Sequence, residues 1–326
     1  MGENIKHKTS VGGQALIEGI VMRGPAGNAM AVRMPDGSID VEVDHNIPIT
    51  KKYKILGVPL IRGVAAYIDS MVSGYKYLMK SADKSMTEEE KEEDLSKLDR
   101  WLTDHMGPAM MAVIGAISTV LGVAIAFGIF MYLPTLLVDK FDEFVVRNSD
   151  LSKMHPLFEG IMRIIIFVLY MFLVSRTKSI KRVFMYHGAE HKSIFCYENG
   201  LPLTVENVRK MKRFHPRCGT SFIFVILIIS ILITSALVLV FPHLSEISRP
   251  LWVLMKLAIL PLVTGIGYEF IKYAGKHDNI IVRFLSAPGL FMQRITTVEP
   301  TDDIIEVGIE ALKAAITDNP KDDEIK

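Results

Sequence analysis

Apolar residues in this chain collect in four long runs rather than recurring at the period of a soluble core. The first, over about 109–138, begins AMMAVIGAISTVLGVAIAFGIFMYL and carries no charge. It exceeds the roughly 20 residues that a helix needs to cross a bilayer. The second, 157–175, is shorter and has Glu159 and Arg163 one turn apart near its start. That spacing predicts an interfacial ion pair whose side chains snorkel toward water. The third, 221–241, reads SFIFVILIISILITSALVLVF and is also uncharged. The fourth, 251–274, contains Lys256, an expected kink at Pro261, and Gly265 and Gly267 ahead of Glu269. Proline and glycine are tolerated in membrane helices when neighbours satisfy the freed backbone groups. The pattern predicts a mainly α, polytopic membrane protein with four transmembrane helices.

Between the runs the pattern changes. Residues 11–23, VGGQALIEGIVMR, are glycine-rich with β-branched neighbours, and two strands are expected over 29–34 and 38–43. Pro35-Asp36-Gly37 joins them, with proline presetting φ and glycine supplying a positive φ. A small cytosolic β element over 1–50 follows, with Gln14, Glu18 and Arg23 as ordinary polar neighbours of its core. In 59–80, Leu60, Ile61, Val64, Ile68, Met71, Val72 and Tyr75 recur at helical spacing, with Arg62, Asp69, Ser73, Lys76 and Lys80 opposite. This amphipathic helix suits the membrane interface or the core of the cytosolic part. The charge run 87–94 reads as a solvated linker and completes a segment 51–108. Thr204, followed by Glu206 and Asn207, predicts a helix over 205–214 that stops at His215-Pro216. The apolar stretch 279–292 is too short to span and should pack under the bundle or at the interface. Thr301-Asp302-Asp303 opens a last amphipathic helix with Ile304, Ile305, Ile309, Leu312 and Ile316 inward. The organisation is then 1–50, 51–108, spans one and two over 109–175, a cytosolic loop 176–220, spans three and four over 221–274, and a cytosolic segment 275–326.

Half of the 326 residues are hydrophobic, which agrees with a membrane protein, and the net charge of +1 selects no partner. The distribution of charge is more informative. Arg176, Lys178, Lys181, Arg182, Lys192, Arg209, Lys210, Lys212, Arg213 and Arg217 all lie between spans two and three, whereas the loop after span three offers only Arg249. The positive-inside rule puts this basic loop and both termini on the cytoplasmic side of a multi-pass membrane protein. Beside a bilayer, those side chains suit anionic lipid headgroups, and no nucleic-acid partner is expected. MGENIKHKTSVGG lacks an apolar core segment, so no cleavable signal peptide is expected. Cys196 and Cys218, the two cysteines, make no disulfide framework.

The chemistry gathers in that basic loop. His187 and His191 are four apart, on one face of a helix, and Glu190 stands between them in the H-x-x-E-H order of inverted zincins. His215 and Cys218 follow, spaced by a turn. Three readings start from these residues. In one, His187 and His191 bind a divalent cation, most simply zinc, with a third ligand from Cys218, His215 or Glu269. A water would fill the open position, with Glu190 as its general base in amide, ester or phosphoryl hydrolysis. In another, His187, His191, His215 and Cys218 form a closed structural site. In the third the histidines only pack, in a membrane scaffold or biogenesis factor. Lys256 inside span four adds a transporter as a further alternative. The spacing selects neither a substrate nor an oligomeric state.

Several segments together, GGQALIEGIVMRGP, YHGAEHKSIFCYENG, LTVENV, HPRCGTSF and PGLFMQRITTVEP, resemble in order an uncharacterised bacterial membrane family. It is catalogued as a domain of unknown function or a predicted metal-dependent enzyme. The resemblance covers nearly the whole chain. It implies a metal site at residues such as His187, Glu190, His191, His215 and Cys218.

Overall fold

The computed structural model describes residues 7–46, 48–87, 107–145, 154–277 and 279–325. The charge run beyond Thr87 lies outside them. The chain divides into two compact units, one of Met1–Ser85, Met171–Ile229 and Pro261–Lys326, the other of Met86–Tyr170 and Ser230–Leu260.

The first unit is built on an antiparallel sheet in sequence order, β1 (Gly12–Leu16), β2 (Gly19–Gly24), β3 (Gly27–Arg33) and β4 (Ile39–Asp44). The glycine-rich stretch is thus itself a hairpin, β1–β2, ahead of the two expected strands. Ile20-Val21-Met22 and Ala29 through Val32 are continuously apolar because both faces of the sheet are covered. On one face Leu16, Val21, Met30 and Val32 pack against Tyr77 of helix α1 (Ile61–Ser85). On the other, Ile20, Met22, Ala29 and Ala31 share a core with two later helices.

Helix α1 buries Ala65, Gly74 and Tyr77 yet leaves Ile68, Met71, Val72 and Tyr75 exposed, with Val72 at 67%. It both packs on the sheet and presents an apolar stripe outward, so neither sequence reading alone describes it. Lys80 and Lys84 tie its C-terminal end to Glu42 and Asp40 of β4.

Among the described residues, four helices are long and apolar enough to cross a membrane, over Val113–Phe141, His155–Val174, Phe222–Val240 and Arg249–Lys276. The first is α2 (Pro108–Phe127) and α3 (Leu133–Val145), joined through a π turn at Gly128–Tyr132. The others are α4 (His155–Val174), α7 (Gly219–Val240) and α8 (Arg249–Lys276), the last continuous through Pro261. Between α4 and α7 come α5 (Lys178–Glu198), which carries the histidine motif, and α6 (Val205–Arg209). After α8 come α9 (Ile280–Thr296) and α10 (Asp302–Ala315). Tyr186, Ala189 and Ile194 of α5, with Ile304, Val307, Ala311 and Leu312 of α10, complete the core on the second face of the sheet.

Three local expectations change. Helix α6 stops at Arg209 rather than running to 214. Lys192 Nζ donates to the Arg209 carbonyl at 2.9 Å, an acceptor that a helix running to 214 would use, and His191 Nδ1 donates to that of Arg213 just beyond. Thr204 does cap α6, accepting from the Asn207 N–H at 3.3 Å, while Thr301 makes no side-chain cap. Within the second unit, Glu159, Arg163 and Lys256 do not snorkel. They are buried together: Glu159 accepts from Arg163 at 2.8 Å, from Trp252 Nε1 at 2.8 Å and from Lys256, which also reaches Thr135 Oγ1 at 3.1 Å. An ammonium with a carboxylate within reach is held in place rather than drawn to an interface.

Candidate metal centre

Helix α5 sets the site because 3.6 residues per turn stack His187 under His191. Their ring centroids are 4.4 Å apart. Each ring is oriented by a carbonyl from a distant segment. His187 Nδ1 lies 2.8 Å from Thr296 O, and His191 Nδ1 meets Arg213 O. A carbonyl only accepts, so each Nδ1 carries a proton, and in the neutral ring each Nε2 keeps a lone pair. His187 Nε2 is 3.2 Å from Cys218 Sγ. His191 Nε2 is buried with no hydrogen-bond partner among the described residues. The donor atoms of His187, His191 and Cys218 all lie within 4.8 Å of one another.

These three donors fit a zinc-like cation. Two neutral imidazoles and a thiol that ionises on binding are its ordinary ligands; bonds of about 2.0–2.3 Å place donors some 3–4 Å apart, a spacing that His187 Nε2 and Cys218 Sγ already have at 3.2 Å. The carbonyls behind the rings are the usual outer support of metal-binding histidines.

A glycine makes this support accessible. A Cβ on Gly188 would stand 2.2 Å from Val298 O. Its absence lets the segment after α9 lie against α5, where Val298 N–H donates to Phe184 O at 2.9 Å and the Thr296 carbonyl meets His187.

Glu190 is buried beside the three donors but outside their group. The Gly13 N–H of β1 donates to its Oε1 at 3.0 Å. Burial pushes this carboxyl up to about 7, with Cys218 adding to the rise and His187 and the Gly13 N–H opposing it. Burial, reinforced by the neighbouring His187 and opposed by Cys218, lowers His191, and burial, opposed by Glu198, lowers His215, so both favour the neutral imidazole.

Two sequence candidates go elsewhere. His215 is near, its ring centroid 5.5 Å from that of His191, but its Nε2 lies 3.7 Å from Glu198. Glu198 also receives Arg217 and the Thr9 N–H, the latter at 2.9 Å. Burial raises Glu198, but His215 and Arg217 outweigh it and hold it below the usual carboxylate range. Gln293 fixes the turn by bonding both the N–H and the carbonyl of His215, at 2.7 and 2.8 Å. Glu269 is not brought to the site. Its carboxylate is clamped by Arg62, with Nε to Oε1 at 2.7 Å.

Glu198 and Gly13 were not anticipated. Glu198 follows His191 by seven residues, two turns along the same helix face, so helical period was the available signal. Gly13 sits in the GG pair of β1, and a Cβ there would meet Val21 O at 2.7 Å and Glu190 Cδ at 3.0 Å. The hairpin is aligned for this contact at Glu18, a positive-φ residue whose carboxylate takes Arg182 and the Tyr186 hydroxyl, the latter at 3.0 Å.

A cavity of about 460 Å³ opens at the site, lined by Gly13, Gln14, Arg23, Glu190, His191 and Cys218 among others.

The family model described as "Protein of unknown function (DUF1385)" matches residues 58–318. The chain is 34% identical over 316 residues to "Uncharacterized protein YqhQ" of Bacillus subtilis (strain 168), covering 94% of this chain and 92% of the relative. No solved structure matches the chain. Helices α5 and α9 and Cys218 fall within the matched region, the four-stranded sheet with Gly13 precedes it, and the chain belongs to the DUF1385 family.

Proposed function

We propose that this is a multi-pass protein of the bacterial cytoplasmic membrane that binds a divalent cation, zinc by its donor set, and hydrolyses a bond near the inner bilayer surface. The observation that carries the metal reading is the arrangement of the two rings. Both histidines spend Nδ1 on backbone carbonyls, leaving two Nε2 lone pairs that converge with Cys218 Sγ, one of them buried and unpartnered. A buried acceptor without a partner is costly, and a cation removes the cost.

Three protein donors beside a cavity suit an open catalytic site better than a closed one, since a structural site uses four. A cation held there would act as a Lewis acid. Glu190, fixed by the Gly13 N–H and lining the same cavity, is the general base. Water gives its oxygen to the reacting carbonyl or phosphoryl centre and its proton to Glu190. Glu190 then returns that proton to the departing oxygen or nitrogen as its bond breaks.

The membrane reading rests on the four apolar helices, and the cytoplasmic placement of the site and termini rests on the basic residues from Arg176 to Arg217. Of these, Arg176, Lys178 and Lys181 are exposed and suit anionic headgroups.

The test is elemental analysis of protein purified in detergent without added metal. About one zinc per chain is expected, lost in His187→Ala and in Cys218→Ser. Absorption of the cobalt-substituted protein distinguishes a water-accessible site from a closed tetrahedral one. Metal-free wild-type protein with an unchanged fold would remove the reading.

A further inference from the structure

The cavity at the site adjoins a second one of about 750 Å³, and Gln14, Arg23, Ser70, Gly219 and Tyr268 line both. Their chemistry differs. The first gathers Glu190, His191, His215, Arg217 and Cys218. The second is mainly apolar, walled by Ala66, Tyr67, Met71 and Tyr75 of α1 and by Phe222 and Ile223 in the first turns of α7. Tyr67 and Phe222 face each other with ring centroids 6.3 Å apart. Both volumes lie in the range of small-molecule sites.

Arg23 stands at the junction. Its guanidinium donates to Ser70 Oγ at 3.1 Å and Ser73 Oγ at 2.9 Å. These acceptors are neutral, so its charge is available to an anion. A planar guanidinium suits phosphate. The apolar wall continues into α7, the most apolar of the four long helices, so a chain lying there would be continuous with hydrocarbon around that helix. An occupant that satisfies all three features has a hydrocarbon tail, an anionic group at its root and a hydrolysable bond just beyond.

We infer that the substrate is a phosphate-bearing membrane lipid. Its tail lies in the apolar cavity between α1 and α7, its phosphate is met by Arg23, and its reacting bond is presented to Glu190. This deepens the hydrolase reading and rests on it for the reacting end, but the binding itself can be measured without it.

The probe is phosphatidic acid with a photoactivatable group on its acyl chain, added to the full-length protein in maltoside micelles, which carry no phosphate. Labelling is expected to saturate and to map to peptides containing 66–75 and 222–223. Unlabelled phosphatidic acid should displace it about tenfold better than diacylglycerol, the order of one charge-assisted contact, and Arg23→Gln should erase that preference. Ala66→Trp should cut labelling at least tenfold, and Ile223→Trp, from the opposite wall, should do the same if the first variant folds poorly. Labelling spread evenly over all long helices, or unchanged in both tryptophan variants, would overturn the inference. So would competition by inorganic phosphate as strong as that by phosphatidic acid, because the tail would then contribute nothing. His187→Ala separates the two readings: lipid labelling should persist while metal is lost. A metal-free wild type that still labels sinks only the metal reading, and a zinc-loaded wild type that does not label sinks only this one.

Discussion

The N–H of Gly13 donates to the carboxylate of Glu190 at 3.0 Å, across 177 positions of chain. A strand near the N-terminus thereby holds the acid of a helix more than half the chain away, and the fold of the sheet becomes part of the site.

Gly13→Ala should disturb that contact. The new methyl would press on Val21 O and on Glu190 Cδ, and overpacking of this kind costs about 1–3 kcal/mol. A lower midpoint in a thermal melt is expected, with zinc content unchanged because none of the three donors touches Gly13. Loss of zinc in this variant would show that Glu190 belongs to the ligand set.

Glu190→Gln should also keep the metal. Its carboxylate stands outside the three-donor group, and the amide oxygen can still accept from Gly13. Elemental analysis beside His191→Ala, which should lose the metal, makes the comparison within one preparation.

Gly188→Ala acts from behind the ring. A methyl 2.2 Å from Val298 O forces the segment after α9 away from α5 and with it the Thr296 carbonyl that orients His187. Loss of such outer support costs about 10–100-fold in metal affinity. Competition with a chromogenic chelator measures it, and wild-type affinity would mean the segment yields without moving Thr296.

Removing the metal should loosen the arm 209–217, which Lys192, His191 and Gln293 hold against α5 and α9. Cys218 joins the end of this arm to the two histidines. Trypsin cleavage at the exposed Lys212 should therefore be faster after chelation and slow again on adding zinc. Equal rates would mean the hydrogen bonds alone keep the arm in place.

In the second unit, Glu159 receives both Arg163 and Lys256. Glu159→Gln leaves two buried cations without a counter-charge, whereas Lys256→Met leaves Glu159 paired with Arg163. The first should cost about 3–5 kcal/mol and the second less. The double variant should cost less than the two added together. Thermal melts in detergent give the order, and the reverse order would show that Arg163 is not an effective partner.

Much of this was open to reading from local pattern. A run of 19 or more apolar residues states its own length against a bilayer, and two histidines four apart share a helix face wherever the helix goes. Pro35-Asp36-Gly37 and Thr204 act through bonds to their own neighbours, so the turn and the cap were legible too. What tertiary structure decided were the choices among distant partners. His215 meets Glu198 rather than the two histidines, Glu269 meets Arg62, and Lys256 meets Glu159 instead of water. Thr296 and Arg213 support the rings through backbone carbonyls, which every residue possesses and no side-chain pattern distinguishes. Spacing along a chain reports which groups share a turn or a face. Which of many carboxylates and carbonyls a buried cation or imidazole meets depends on how helices and sheet pack once those local pieces have formed.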